Sequence, residues 1–136
     1  MEVNETTIRL SLHLLGASVW VGGQIALGAL VPVARQAGPE IPRALARRFG
    51  QVAWPFFALT VLTGVWNLTD VNPGDHSVGW QITLMLKLLL VATSGVTAFL
   101  HGIVPNPVAR GVTAGLALLA ALAAGFCGVL LIWGGT

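Results

Sequence analysis

Three ionisable side chains lie well inside the long apolar runs of this sequence, where such groups are costly. They are His13, Lys87 and His101. Titratable groups inside a membrane-spanning segment usually mark a binding site or a transport path. A neutral imidazole is a common ligand of haem iron and of other metal ions, and apolar walls suit a porphyrin. The sequence therefore predicts a cofactor site, with haem as the expected cofactor.

The depth of these side chains in the membrane decides which of them can share a site. His13 and Lys87 each lie a few residues past the start of an apolar run, so both are expected roughly 8–10 Å inside the same boundary. His101 follows Lys87 on the same helix and is expected about 21 Å deeper. We therefore expect His13 and Lys87 to share one site. Lys87 is then a second axial ligand if neutral, or the partner of a haem propionate if charged.

Helical spacing places further polar residues on three faces. The first face holds His13, Trp20 and Gln24. The second holds Lys87, Ser94 and His101, and the third holds Thr60, Thr63 and Asn67. We expect Trp20, Thr63 and Asn67 to contribute to cofactor binding, and His76 and His101 to be additional candidate metal ligands. In the alternative interpretation His13 is hydrogen-bonded to threonine or asparagine, and Trp20 is a packing residue. Lys87 then extends its ammonium to the membrane surface.

Four apolar runs must position these side chains. Of the 136 residues, 55% are hydrophobic and 9% are charged, and the mean hydropathy is +0.82. The runs cover about 8–34, 49–68, 80–104 and 111–133, and each is near the ~20 residues that span a bilayer as a helix. Only helices and closed barrels satisfy the backbone in lipid, and no period-2 pattern is present. The sequence predicts an all-α, integral membrane four-helix up-down bundle, with residues 1–136 forming a single domain.

The distribution of arginine predicts the orientation of this bundle. Five of the six arginines lie in the expected first loop, residues 35–48, and third loop, residues 105–110. Because cytoplasmic loops are enriched in Arg and Lys, we expect both termini on the outer, periplasmic side. The net positive charge then reflects topology, and no nucleic-acid binding is expected. The predicted location is the inner membrane of a bacterial or archaeal cell.

Small residues predict where the helices approach each other closely. They are Gly16, Gly23 and Gly28 in the first run, and Ala121, Gly125 and Gly128 in the fourth. The chain has one cysteine, Cys127, which excludes an internal disulfide framework and a cysteine-cluster metal site. We expect Cys127 to be a small buried apolar residue.

Three segments carry a resemblance to a known family. The segment 12–23, LHLLGASVWVGG, resembles the first helix of the copper-resistance D (CopD-like) membrane superfamily, and the related HemJ-type protoporphyrinogen oxidases share its His-x6-Trp spacing. Segments 59–64 and 87–91 resemble the second and third motifs. The HemJ branch implies haem b and essential residues matching His13 and Lys87, whereas the CopD branch implies copper uptake. The Tyr-His pair usual in HemJ proteins is absent, and CopD proteins are usually longer.

Together these observations predict a small integral-membrane b-type haem-binding protein that acts in redox chemistry or electron transfer near the outer leaflet. Three alternatives stay open: CopD-like copper transport or handling, protoporphyrinogen IX oxidation, and an accessory membrane subunit without a cofactor. If the protein is an enzyme, we expect a haem-dependent oxidoreductase. The expected partners are the lipid bilayer and an unidentified redox partner, with a homo-oligomer as a further alternative.

Overall fold

Four long α-helices account for most of the chain. A computed structural model describes residues 4–134 and contains α1 (Glu5–Ala37), α2 (Glu40–Thr69), α3 (Val78–Ile103) and α4 (Pro107–Trp133), with a short 3-10 helix at Pro73–Asp75. Residues 4–134 contain no β-strand, so the predicted all-α class is confirmed. All four α-helices are long and apolar enough to cross a membrane. They indicate a multi-pass integral membrane protein and are compatible with the predicted four-helix bundle. The orientation of the termini stays a prediction.

Polar side chains define the starts of three of these helices. Asn4 accepts a hydrogen bond from the Thr7 amide at 2.9 Å, and Ser77 accepts one from the Trp80 amide at 3.3 Å. Asn106 accepts from the Val108 amide at 2.8 Å and from the Ala109 amide. Each cap satisfies amides that have no partner within the helix. The sequence therefore encodes these helix starts locally.

The first connection is much shorter than predicted. The prediction of a loop over residues 35–48 is wrong, because only Gly38 and Pro39 separate α1 from α2. Gly38 has a φ of +149°, a conformation that residues with a side chain rarely adopt. The following Arg, Ala and Leu residues are strong helix formers, so α2 begins at once. The arginines at 43, 47 and 48 consequently lie on a helix.

The helices form two compact units, each an antiparallel hairpin. Residues 4–71 hold α1 and α2, and residues 72–134 hold α3 and α4. In the first hairpin Gly16 marks a close approach, since a Cβ there would lie 2.8 Å from the Phe56 carbonyl oxygen. Gly23 lies against the Phe49 ring, whereas Gly28 faces open space. The prediction of close contact is confirmed for Gly16 and Gly23, and it stays a prediction for Gly28, which meets nothing within this hairpin. A single domain over 1–136 stays a prediction.

The second hairpin packs small residues of α4 against α3. The buried residues of α4 are Ala117, Ala120, Ala121, Ala124 and Cys127. Ser94 of α3 is buried, and its hydroxyl donates to the Ala117 carbonyl across this seam at 2.8 Å. The contact prediction is confirmed for Ala121 and Gly128, but Gly125 has only open space beside it. The buried position predicted for Cys127 is also confirmed.

Candidate functional site

His13 is held against α2 by two hydrogen-bonding contacts. Its Nδ1 lies 2.9 Å from the Thr60 carbonyl oxygen and 3.1 Å from the Thr63 hydroxyl oxygen. Thr63 is buried and His13 is half-buried. The structure therefore brings together two residues that the sequence predicted to share a site, and adds the Thr60 carbonyl as a further contact.

These contacts define the tautomer of His13. A backbone carbonyl oxygen can only accept, so Nδ1 carries the hydrogen and donates it to Thr60. The Thr63 hydroxyl donates to the Leu59 carbonyl at 2.6 Å, which leaves its oxygen lone pairs directed at the same Nδ1–H. In the neutral form of the ring, which has one N–H, the lone pair of the imidazole is then on Nε2. This is the usual tautomer of a histidine that ligates a metal through Nε2.

Small and apolar residues surround the His13 ring. A Cβ at Gly64 would lie 3.2 Å from the ring Cε1, so glycine at this position makes room for the imidazole. On α1, Leu10 lies three residues before His13 and Leu14 directly follows it, and both are exposed apolar residues. The histidine is thus a polar group fixed between α1 and α2, with exposed apolar side chains beside it on α1.

Trp20 lies two turns further along α1 and belongs to an aromatic cluster. Its ring centroid is 5.3 Å from that of Trp54 and 4.4 Å from that of Phe57, and its side chain is buried. These contacts explain Trp20 as a packing residue of the α1–α2 seam. Its predicted contact with a cofactor stays a prediction. Asn67, one turn beyond Thr63 on α2, is half-buried, and its predicted role is equally untested.

A partly buried ion pair lies one turn from His13. Arg9 of α1 is only 4% exposed. It pairs with Asp70 at the end of α2, and its Cζ lies 5.7 Å from the Trp66 ring centroid. The sequence analysis used the arginines only to predict topology and did not predict this pairing. The sequence did indicate that Arg9 faces α2, since Arg9 precedes His13 by four residues and therefore shares its helix face.

Removing the two charges of this pair is expected to have unequal effects. Asp70→Asn leaves a buried guanidinium without its counter-charge, and we expect the free energy of unfolding to fall by about 1–2 kcal/mol. This is below the 3–5 kcal/mol typical of fully buried pairs, because the Asp70 side chain is 52% exposed. Arg9→Met leaves only a solvated carboxylate and an apolar side chain in the seam. Denaturation with sodium dodecyl sulfate in mixed micelles measures both variants. A larger loss for Arg9→Met than for Asp70→Asn would contradict this account.

Lys87 belongs to the second hairpin and lies against α4. It is half-buried, and a Cβ at Gly128 would lie 3.3 Å from its Nζ. Gly128 therefore makes room for the ammonium beside α4. The predicted sharing of one site by Lys87 and His13 stays a prediction.

The other two histidines have local contacts within the second hairpin. The His76 ring stacks on the Trp80 ring, with centroids 4.1 Å apart and planes inclined by 15°. His101 Nδ1 donates to the Arg110 carbonyl at 2.8 Å, which links the end of α3 to the start of α4. Within residues 4–134, no three His, Cys, Asp or Glu side chains gather into a group that could hold a metal ion. The roles of His76 and His101 as ligands stay predictions.

The fold and the polar contacts inside it define a multi-pass integral membrane protein with a partly buried His–Thr contact between its first two helices. No protein-family model, curated protein or solved structure matches the chain. The resemblance to the CopD-like superfamily and to HemJ-type proteins therefore stays an expectation from its motifs.

Proposed function

We propose that this chain is a small b-type haem protein of the membrane, with His13 as an axial ligand of the iron. The observation that carries the proposal is the hydrogen bond from His13 Nδ1 to the Thr60 carbonyl at 2.9 Å. Histidines that bind metals usually donate their second ring N–H to a carbonyl or carboxylate, which orients the ring and makes the ligand nitrogen more basic. His13 has this arrangement on a helix that is apolar enough to span the bilayer.

The available ligands favour haem over a bare copper ion. A porphyrin supplies four nitrogen ligands, so one histidine is enough to hold the iron from the protein side. Among residues 4–134, no group of three potential ligands gathers in the way that a protein-only metal site requires. The exposed leucines beside His13 are suited to contact with the apolar faces of a macrocycle.

Lys87 enters the proposal as the second partner of the haem. The basis is its expected depth in the membrane, which equals that of His13 by residue count. A neutral Lys87 amine would be a second axial ligand, whereas a charged ammonium would pair with a propionate. Asn67 and Trp20 are proposed as further contacts with the haem, because helical spacing places them on the same faces as Thr63 and His13.

The proposed role is electron transfer near the outer leaflet of a bacterial or archaeal cytoplasmic membrane. Bound haem supplies a one-electron couple between ferrous and ferric iron. The chain's part is to hold the imidazole in one tautomer through Thr60 and Thr63, and to exclude water with apolar side chains. An unidentified membrane or periplasmic protein would exchange the electron.

The absorption spectrum of the purified protein tests the proposal. Protein expressed in haem-replete cells should show a Soret band, together with reduced α and β bands after dithionite addition. The pyridine haemochrome assay should give a stoichiometry near one haem for each protein molecule. A colourless preparation that also fails to bind added haemin would overturn the proposal. Stoichiometric copper in such a preparation would favour the copper alternative instead.

A further inference from the structure

Exposed arginines are concentrated where α1 passes into α2. They are Arg35, Arg43, Arg47 and Arg48. Arg48 donates a hydrogen bond to the Gln51 side chain at 3.0 Å. The side chains of Arg43 and Arg47 make no hydrogen bond or ion pair with any residue that the structure describes, so their guanidinium groups are open to a ligand.

Arg43 and Arg47 share one face of α2 and line an open groove there. The groove is formed by Glu40, Arg43, Ala44 and Arg47, which follow one another at the spacing of a single helix face. Ala44 lies between the two arginines and leaves space for a group to approach the helix surface. Glu40 lies at one end of the groove, so the positive charge is concentrated at the other end, nearer the apolar part of α2.

The position of the groove along α2 fits the headgroup layer of a bilayer. The apolar run of α2 begins at about Phe49, so Arg47 and Arg43 precede it by roughly 3 Å and 9 Å along the helix axis. The headgroup region of a bilayer extends about 5–8 Å beyond the hydrocarbon on each side. Arg47 therefore lies at the level of the lipid phosphates, and Arg43 lies at the outer edge of the headgroup layer, from which its long side chain can reach a phosphate.

We propose that Arg43 and Arg47 form a binding site for the phosphodiester of an anionic phospholipid such as phosphatidylglycerol. Guanidinium groups bind phosphate oxygens through paired, charge-assisted hydrogen bonds. Two such groups one helical turn apart can hold one phosphate between them. The acyl chains of the lipid would then lie along the apolar surface of α2. This site is independent of any cofactor.

Lipid retention tests this site directly. The protein is released from nanodiscs that contain equal amounts of phosphatidylglycerol and phosphatidylcholine, and native mass spectrometry counts the lipids that stay bound. The wild type should retain phosphatidylglycerol preferentially. Arg43→Gln/Arg47→Gln should lower this retention by at least about 100-fold, since each arginine loses charge-assisted hydrogen bonds to the phosphate that are worth about tenfold or more.

Arg35→Gln/Arg48→Gln is the matched control, because it removes the same two charges from the same end of the hairpin. We expect it to lower retention by no more than about 25-fold, the general effect of two charges near an anionic surface. Equal losses in the two double variants would show only a general surface potential and would overturn the site. If inorganic phosphate on the order of 10 mM displaces the lipid, the proposed lipid site is also overturned, because the arginines then bind a free anion. Far-ultraviolet circular dichroism should show unchanged helix content in both variants.

Discussion

The variant His13→Gly is expected to lose bound haem almost completely. His13 is the proposed iron ligand, and changes to residues that merely support such a ligand already cost about 10–100-fold in affinity. Loss of the ligand itself should therefore lower haem affinity by at least about 100-fold. The measurement is titration with haemin, followed by the Soret band. Added imidazole should restore the band in this variant, because it can occupy the space of the missing side chain and supply the same nitrogen.

Two comparisons make the His13 prediction specific. His101→Ala, in the other hairpin, should keep the haem affinity of the wild type, since the proposal does not require that histidine. Thr63→Val should lower the affinity by less than about tenfold, because the Thr60 carbonyl still accepts the Nδ1 hydrogen. Retention of the Soret band by His13→Gly without imidazole would contradict the assignment of the ligand. Loss of the band in His101→Ala would show that His101 itself is needed for haem binding and would contradict the proposed ligand set.

The contact between His13 and Thr63 could be predicted from the sequence because it depends on periodicity. Helical spacing placed a polar stripe on α2, and the cost of burying polar groups in lipid implied that it faces another helix. The structure confirms that Thr63 meets His13. Periodicity does not specify which atoms meet. The Thr60 carbonyl, which determines the histidine tautomer, is a backbone group that no sequence pattern indicates.

The pairing of Arg9 with Asp70 was missed for a different reason. Charges near the ends of membrane helices are usually explained by topology, and that explanation gave no reason to consider burial. The two residues are 61 positions apart, and their contact depends on the length of the connection between α1 and α2. That length was itself mispredicted, because the helix-forming residues after Pro39 were assigned to a loop.

The variant Gly16→Leu is expected to destabilise the first hairpin strongly. Even a Cβ at this position would lie 2.8 Å from the Phe56 carbonyl oxygen and 3.1 Å from the Thr60 amide nitrogen. These atoms belong to the backbone of α2, so they cannot move aside without separating the helices. We expect the free energy of unfolding to fall by about 3 kcal/mol, the upper end of the usual cost of overpacking. Denaturation in mixed micelles measures this loss.

The corresponding variant Gly28→Leu lies on the same helix and is the control. No atom lies within 4 Å of a Cβ at Gly28, so leucine meets no backbone there and removes a flexible glycine from the helix. Its unfolding free energy should equal or exceed that of the wild type. Since the close approach at Gly16 also holds His13 near Thr60, one turn away, Gly16→Leu should lose haem as well as stability. Equal stability of the two variants would show that α1 and α2 do not meet at Gly16. The hydrogen bond proposed to prepare His13 for iron would then lose its structural basis.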